Sequence, residues 1–200
     1  MAERQITVGS VTYPLPPLFL VMATQNPIEQ EGTYPLPEAQ LDRFLMHLKV
    51  DYPDKEAERK ILHLSRHESH QQAKASEVPK VLTQAELFEV RDAALDIHMS
   101  EAVENYLVDL TMATRQPERY HDDLRRWLDF GVSPRGTIAL DRCARAHAWL
   151  AERDYVAPQD VQAVIKPVLR HRLLLSYEAE ADGIECDQVI EKLVEFVAVP

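Results

Sequence analysis

Three short segments of the chain set residue types suited to phosphate chemistry at positions where a fold can present them. In Ala23-Thr24-Gln25-Asn26-Pro27 a polar side chain closely follows the continuous apolar run Leu18–Ala23, and open α/β sheets place their ligands at that carboxyl edge of a strand. The Asn26 amide can hold a water or a phosphate oxygen there; alternatively Asn-Pro only begins a turn, the reading that local spacing favours. In Leu41-Asp42-Arg43-Phe44, Arg43 ends a short helical pattern between apolar anchors, so its guanidinium fork is available to a phosphate. The competing reading is a local Asp42–Arg43 surface pair of minor energy, and spacing does not choose between them. In Ser133-Pro134-Arg135-Gly136, Ser133 caps a helix with Pro134 at its first position. Free backbone donors and the positive end of the helix dipole favour an anion at that spot. Arg135 is a cation in a place that disfavours cations, so it asks for an anionic partner; an arginine stretched into solvent is the even alternative.

Some expected parts are missing. The five glycines (Gly9, Gly32, Gly131, Gly136 and Gly183) form no glycine-rich loop, no Gly-Lys-Ser/Thr occurs, and no apolar strand ends in Asp-Glu. The 200 residues therefore hold accessories of phosphoryl transfer without the loop that cradles phosphates or the carboxylates that hold magnesium. Other clusters read as structural. His63, His67 and His70 share a helix face, but nothing completes a metal-ligand set, so a solvated face is expected and no metal site. His147 falls in a small-residue stripe with Leu140, Cys143, Ala144, Ala148 and Ala151 and is expected to pack. Arg170-His171-Arg172 and Arg125-Arg126-Trp127 are expected to be salt-bridged or snorkelling in an acidic protein.

The elements that must position these residues fall into two styles. Gln5–Val8 alternates and is followed by the turn signal Gly9-Ser10; Leu18–Ala23 reads as a strand buried on both faces, and Leu45–Val50 as a further apolar run. After Pro53 the pattern is helical throughout, which puts a domain boundary near Tyr52. Asp54 caps a helix to about His70, Thr83-Gln84-Ala85-Glu86 is a capping box, and Ser100 caps a helix with Val103, Tyr106, Leu107 and Leu110 on one face. Ser133 and Pro158 open two more helices, the second kinked by Pro167, and Asp187–Val197 forms the last.

Composition sets the outer bounds. The chain is 46% apolar and 28% charged, enough for a packed core, and its 22 basic against 33 acidic residues give a net charge of −11. That charge argues against nucleic acid as a partner. No run is long enough to insert in a membrane or to serve as a secretory signal, so the expected location is cytoplasmic. Cys143 and Cys186 are expected as reduced thiols.

Together these residues resemble the MoxR family of AAA+ ATPases. The run from Ala23 through Asn26, Glu31-Gly32-Thr33-Tyr34-Pro35-Leu36-Pro37 and Leu41-Asp42-Arg43-Phe44 is highly specific for that family, and Ser133-Pro134-Arg135 with Val168-Leu169-Arg170-His171-Arg172 looks like its C-terminal lid. The resemblance implies a mainly α fold: remnant strands of a P-loop NTPase α/β core over residues 1–52, then an all-helical AAA+ lid over 53–200. It implies that Asn26 is the sensor 1 residue orienting the attacking water, Arg43 the arginine finger offered to a neighbouring subunit's nucleotide, and Arg135 the sensor 2 residue that contacts the γ-phosphate. ATP and Mg2+ as cofactors, a homo-oligomeric, hexameric ring and chaperone-like action on partners with von Willebrand factor A-type domains follow from the same resemblance. In the family the phosphate loop and the Asp-Glu strand precede the segment that Met1–Gln5 resembles, so the expectation is a C-terminal portion that does not hydrolyse ATP by itself. The alternative is a standalone helical protein-interaction module without ATPase activity.

Overall fold

A computed structural model describes residues 5–25, 36–70 and 81–200. Strands β1 (Gln5–Val8) and β2 (Val11–Pro14) pair antiparallel with Ile6 opposite Tyr13. Gly9 turns the hairpin at φ 63°, a left-handed conformation that costs glycine nothing.

The apolar run Leu18–Ala23 does not form the doubly buried strand that its sequence predicts. It carries no ladder, and Leu20 and Met22 are 85% and 83% exposed. A strand exists only through a partner's hydrogen bonds, and among the described residues the sheets are two separate two-stranded pairs, β1 with β2 and Leu128–Phe130 with Leu174–Leu175. Leu45–Val50 likewise forms no strand. It docks instead on a helix, where the His47 N–H donates to the Pro167 carbonyl at 2.8 Å.

Helix α1 (Glu38–Leu41) is a single turn. Helix α2 (Lys55–His70) starts where the Asp54 carboxylate accepts from the Glu56 and Ala57 N–H groups, and none of residues 55–67 belongs to the core. Helix α3 (Gln84–Leu95) opens with the expected box: Glu86 N–H donates to Thr83 Oγ1 at 3.2 Å and Thr83 N–H to Glu86 Oε2 at 2.7 Å.

The core lies among α4 (Glu101–Arg115), α5 (Asp122–Trp127), α6 (Pro134–Leu150), α7 (Pro158–Leu169) and α9 (Cys186–Phe196). A short β3–β4 pair (Leu128–Phe130 with Leu174–Leu175) and helix α8 (Tyr177–Ala181) close its side. The stripes expected on α4 and α7 are buried: Val103, Tyr106, Leu107 and Leu110, and Val161, Val164, Ile165 and Val168. Helix α6 turns small residues inward, Gly136, Ala139, Cys143, Ala144 and Ala148, which lets α7 pack close along it. Helix α7 runs through Pro167 to Leu169. Both cysteines are free thiols.

One buried charge ties α6 to α7. Asp160, with 0% exposure, accepts from both Arg153 guanidinium nitrogens, from the Ala157 N–H at 2.8 Å, and pairs with His147 Nδ1 at 2.6 Å. His147 is thus not the packed residue its stripe suggests. Its side chain is 43% exposed and faces a carboxylate, because the C-terminal end of α6 meets the N-terminus of α7.

Candidate functional site

Asp42 lies just past the end of α1, in a tight turn where its N–H reaches the Glu38 carbonyl and the Phe44 N–H the Leu41 carbonyl. The turn points Asp42 inward, with a side chain 17% exposed, and leaves Arg43 exposed. The local Asp42–Arg43 pair, the competing reading of this motif, does not form. The Arg43 side chain makes no hydrogen bond or ion pair with any described residue, whereas Asp42 takes partners from two distant elements.

The first is the start of α6. Ser133 Oγ caps the helix by accepting from the Arg135 N–H at 3.2 Å, and its hydroxyl lies 3.0 and 2.9 Å from the two Asp42 oxygens. Arg135 Nη1 donates to Asp42 Oδ2 at 3.2 Å. The anionic partner that a cation at a helix N-terminus requires is therefore Asp42. The approach to this helix start is held from α4: Val132 N–H donates to Thr114 Oγ1 at 3.0 Å, and Arg115 Nε donates to the Val132 carbonyl at 2.7 Å. Gly131 makes that approach possible, since a Cβ there would lie 2.3 Å from the Thr114 carbonyl oxygen.

The second is the stretch after α7, which grips the turn with three consecutive side chains. Arg172, 2% exposed, donates from Nε to Asp42 Oδ1 at 3.1 Å, and its two terminal nitrogens reach the carbonyls of Asp42, Phe44, Leu45 and Val168. His171 Nε2 lies 3.2 Å from the Phe44 carbonyl, which can only accept, so that nitrogen carries the proton. Arg170 makes a two-pronged pair with Asp187, both bonds 2.9 Å, and donates to the His47 carbonyl at 3.2 Å. The basic cluster is salt-bridged, as expected, and it also satisfies the carbonyls of an extended segment that has no strand beside it.

The electrostatics follow from these contacts. Burial raises the Asp42 carboxyl, but hydrogen bonds from Ser133 and Arg135 and the charge of Arg172 outweigh it and hold it below the ordinary carboxylate range. Burial and the neighbouring Arg172 charge push His171 down to about 4 despite its bond to the Phe44 carbonyl, so its ring is neutral near pH 7. Its Nδ1 is buried without a partner.

Of the three residues singled out from sequence, Arg135 bonds Asp42, the residue that precedes Arg43 in the chain, while the Arg43 side chain bonds to no described residue. Asn26 lies outside the described residues; Gln25, which precedes it, is exposed. Among the described residues no group of three or more His, Cys, Asp or Glu side chains is gathered around one point. Arg43, exposed and bonded to no described residue, presents a guanidinium suited to an anionic oxygen arriving from outside the chain. Sequence reasoning did not find Arg172 as the central donor or Asp42 as its acceptor. The one signal was the missing anion at Arg135.

Residues 1–46 match the ATPase family associated with various cellular activities (AAA), and residues 125–193 match the AAA lid domain. The chain is 43% identical over 201 residues to Chaperone MoxR1 of Mycobacterium tuberculosis, covering 100% of this chain and 52% of the relative. It is 37% identical to Protein MoxR of Paracoccus denitrificans, covering 92% and 57%. A solved structure from Cytophaga hutchinsonii, provisionally named an ATPase, superposes with a TM-score of 0.90 at 41% identity over 100% of this chain and 59% of that one. The chain thus spans between half and two thirds of the length of the relatives it matches.

Proposed function

The chain belongs to the MoxR family of AAA+ ATPases, and from that premise we propose that its residues form the finger and lid parts of an ATP-hydrolysing, chaperone-like machine. In this reading residues 1–52 belong to the α/β core and 53–200 to the lid. The phosphate loop and magnesium ligands come from elsewhere in a longer gene product, and these 200 residues alone are inactive. Bound ATP supplies a phosphoryl group that passes to water.

The observation that carries the reading is the exposure of Arg43, which follows the anchored residue Asp42 and bonds to no described residue. Its charge is free for a nucleotide on an adjoining subunit, and an arginine supplied in this way can be worth about 10³ to 10⁵ in rate. Arg135 faces the nucleotide from the lid, and Asn26 orients the attacking water. Dependence on a neighbour's arginine makes turnover require a ring, which we take to be a homo-hexamer. Its clients are proteins bearing von Willebrand factor A-type domains, and its setting is cytoplasmic. The net charge of −11 disfavours a nucleic-acid substrate.

The test is magnesium-dependent phosphate release. The complete gene product is expected to hydrolyse ATP with a rate per subunit that rises with protein concentration as rings assemble, and the 200-residue chain to match a buffer blank. Turnover by the 200 residues alone, or none by the complete product, contradicts the proposal.

A further inference from the structure

The carboxylate of Asp42 has two arms of unequal character. Oδ1 faces Arg172, which is 2% exposed and whose remaining donors are committed to backbone carbonyls. This arm is permanent, because parting it would leave a buried guanidinium without its counter-charge. Oδ2 faces Arg135, which is 58% exposed and whose side chain makes, among the described residues, this one hydrogen bond, at 3.2 Å. That is longer than the roughly 2.7–2.9 Å usual for charge-assisted bonds. Exposed pairs of this kind are weak and exchange readily.

We propose, resting on the assignment of Arg135 to the nucleotide, that Asp42 is an internal competitor for the terminal phosphate: it holds Arg135 in reserve when no triphosphate is bound and yields it when one is. The carboxylate and a phosphate are anions of similar hydrogen-bonding geometry, and both suit a guanidinium at a helix N-terminus. Arg172 keeps Asp42 in place through the exchange, so the site returns to its starting state when the phosphate leaves. Arg43 is the next residue in the chain. Release of Arg135 therefore loosens one of the holds on the turn that carries the finger, which ties the lid's contact with one nucleotide to the position of the arginine offered to another.

The experiment is a titration of ATPγS and of ADP, each with magnesium, into the complete gene product as wild type, Asp42→Asn, Arg135→Gln and the double variant. Asparagine keeps the size of the side chain and an acceptor toward Ser133 and Arg172 while removing the competing charge. Asp42→Asn is expected to tighten ATPγS by about two- to fivefold, the range set by an exposed ion pair, to change ADP less, and to lose its effect in the Arg135→Gln background. An equal effect in both backgrounds, or none with Arg135 intact, overturns the proposal. Should Asp42→Asn fail to fold because Arg172 loses its counter-charge, the wild-type protein decides: the side-chain Nε resonance of Arg135 moves on adding ATPγS while that of Arg172 stays. Movement of both or of neither overturns the two-arm arrangement. Failure of the underlying reading looks different, since wild type would then bind neither nucleotide, or Arg135→Gln would bind ATPγS as tightly as wild type.

Discussion

Asp42 and Arg135, 93 positions apart in sequence, are joined by a hydrogen bond of 3.2 Å that ties the turn after α1 to the start of α6. The bond sits at the edge of a network whose centre is buried. Its members have different jobs, and substitutions separate them.

Arg172 is the structural centre. Its removal would take from the Asp42 carboxylate its buried counter-charge, leaving it only Ser133 and the exposed Arg135, and would free four carbonyls, those of Asp42, Phe44, Leu45 and Val168. Arg172→Met is expected to cost about 3–5 kcal/mol, the range for breaking a buried pair from one side. Arg172→Lys recovers little of it, because a point charge cannot replace a fork that serves several acceptors. Chemical denaturation of the three proteins measures both losses.

Gly131 sets where the α6 N-terminus sits. A Cβ there meets the backbone of Thr114, with its carbonyl oxygen at 2.3 Å, and backbone cannot step aside as a flexible side chain can. Gly131→Ala is expected to destabilise by about 1–3 kcal/mol and to shift Ser133 and Arg135 away from Asp42. A melting temperature equal to wild type would show that the stretch before α6 has room the packing does not indicate.

Asp160 gives the acid side of the stability profile. Burial raises its carboxyl, but the bonds from Arg153, the Ala157 N–H and His147 prevail and hold it at about 2, against an ordinary 3.8. The folded value is the lower one, so the stabilisation is fully present above pH 3.8 and is lost as pH falls toward 2. Asp160→Asn is expected to cost about 1–3 kcal/mol at pH 7 and to flatten the pH dependence of unfolding in that window. Denaturant midpoints measured from pH 6 down to pH 2 test both parts; an unchanged slope in the variant would show that another carboxylate dominates.

Much of the fold was legible because its signals are local. Thr83 with Glu86, Ser100, Ser133 and Pro158 open helices in the structure as their residue types predict, and the apolar stripes of α4 and α7 are the buried ones. Two kinds of feature were not. The strand expected at Leu18–Ala23 depends on a neighbour's ladder, which no property of its own six residues reports. The helix α8 and the short β3–β4 pair are too brief for periodicity to reveal, although Ser176 caps α8 by accepting from the Ala179 N–H. The site was half legible. Arg43 and Arg135 stood out by position, but that Asp42 serves Arg135 and Arg172 rather than its neighbour Arg43 is a fact about contacts 93 and 130 positions away.

Arg43 is the most direct point of attack on the proposed function. It is exposed and bonds to no described residue, so Arg43→Ala should leave stability within about 0.5 kcal/mol of wild type. Steady-state phosphate release and ATP binding would be measured together on the complete gene product carrying that substitution. We expect turnover to fall by about 10³-fold or more while the dissociation constant for ATP stays within about twofold of wild type. Undiminished turnover would contradict the assignment of Arg43 as the arginine offered to a neighbouring subunit.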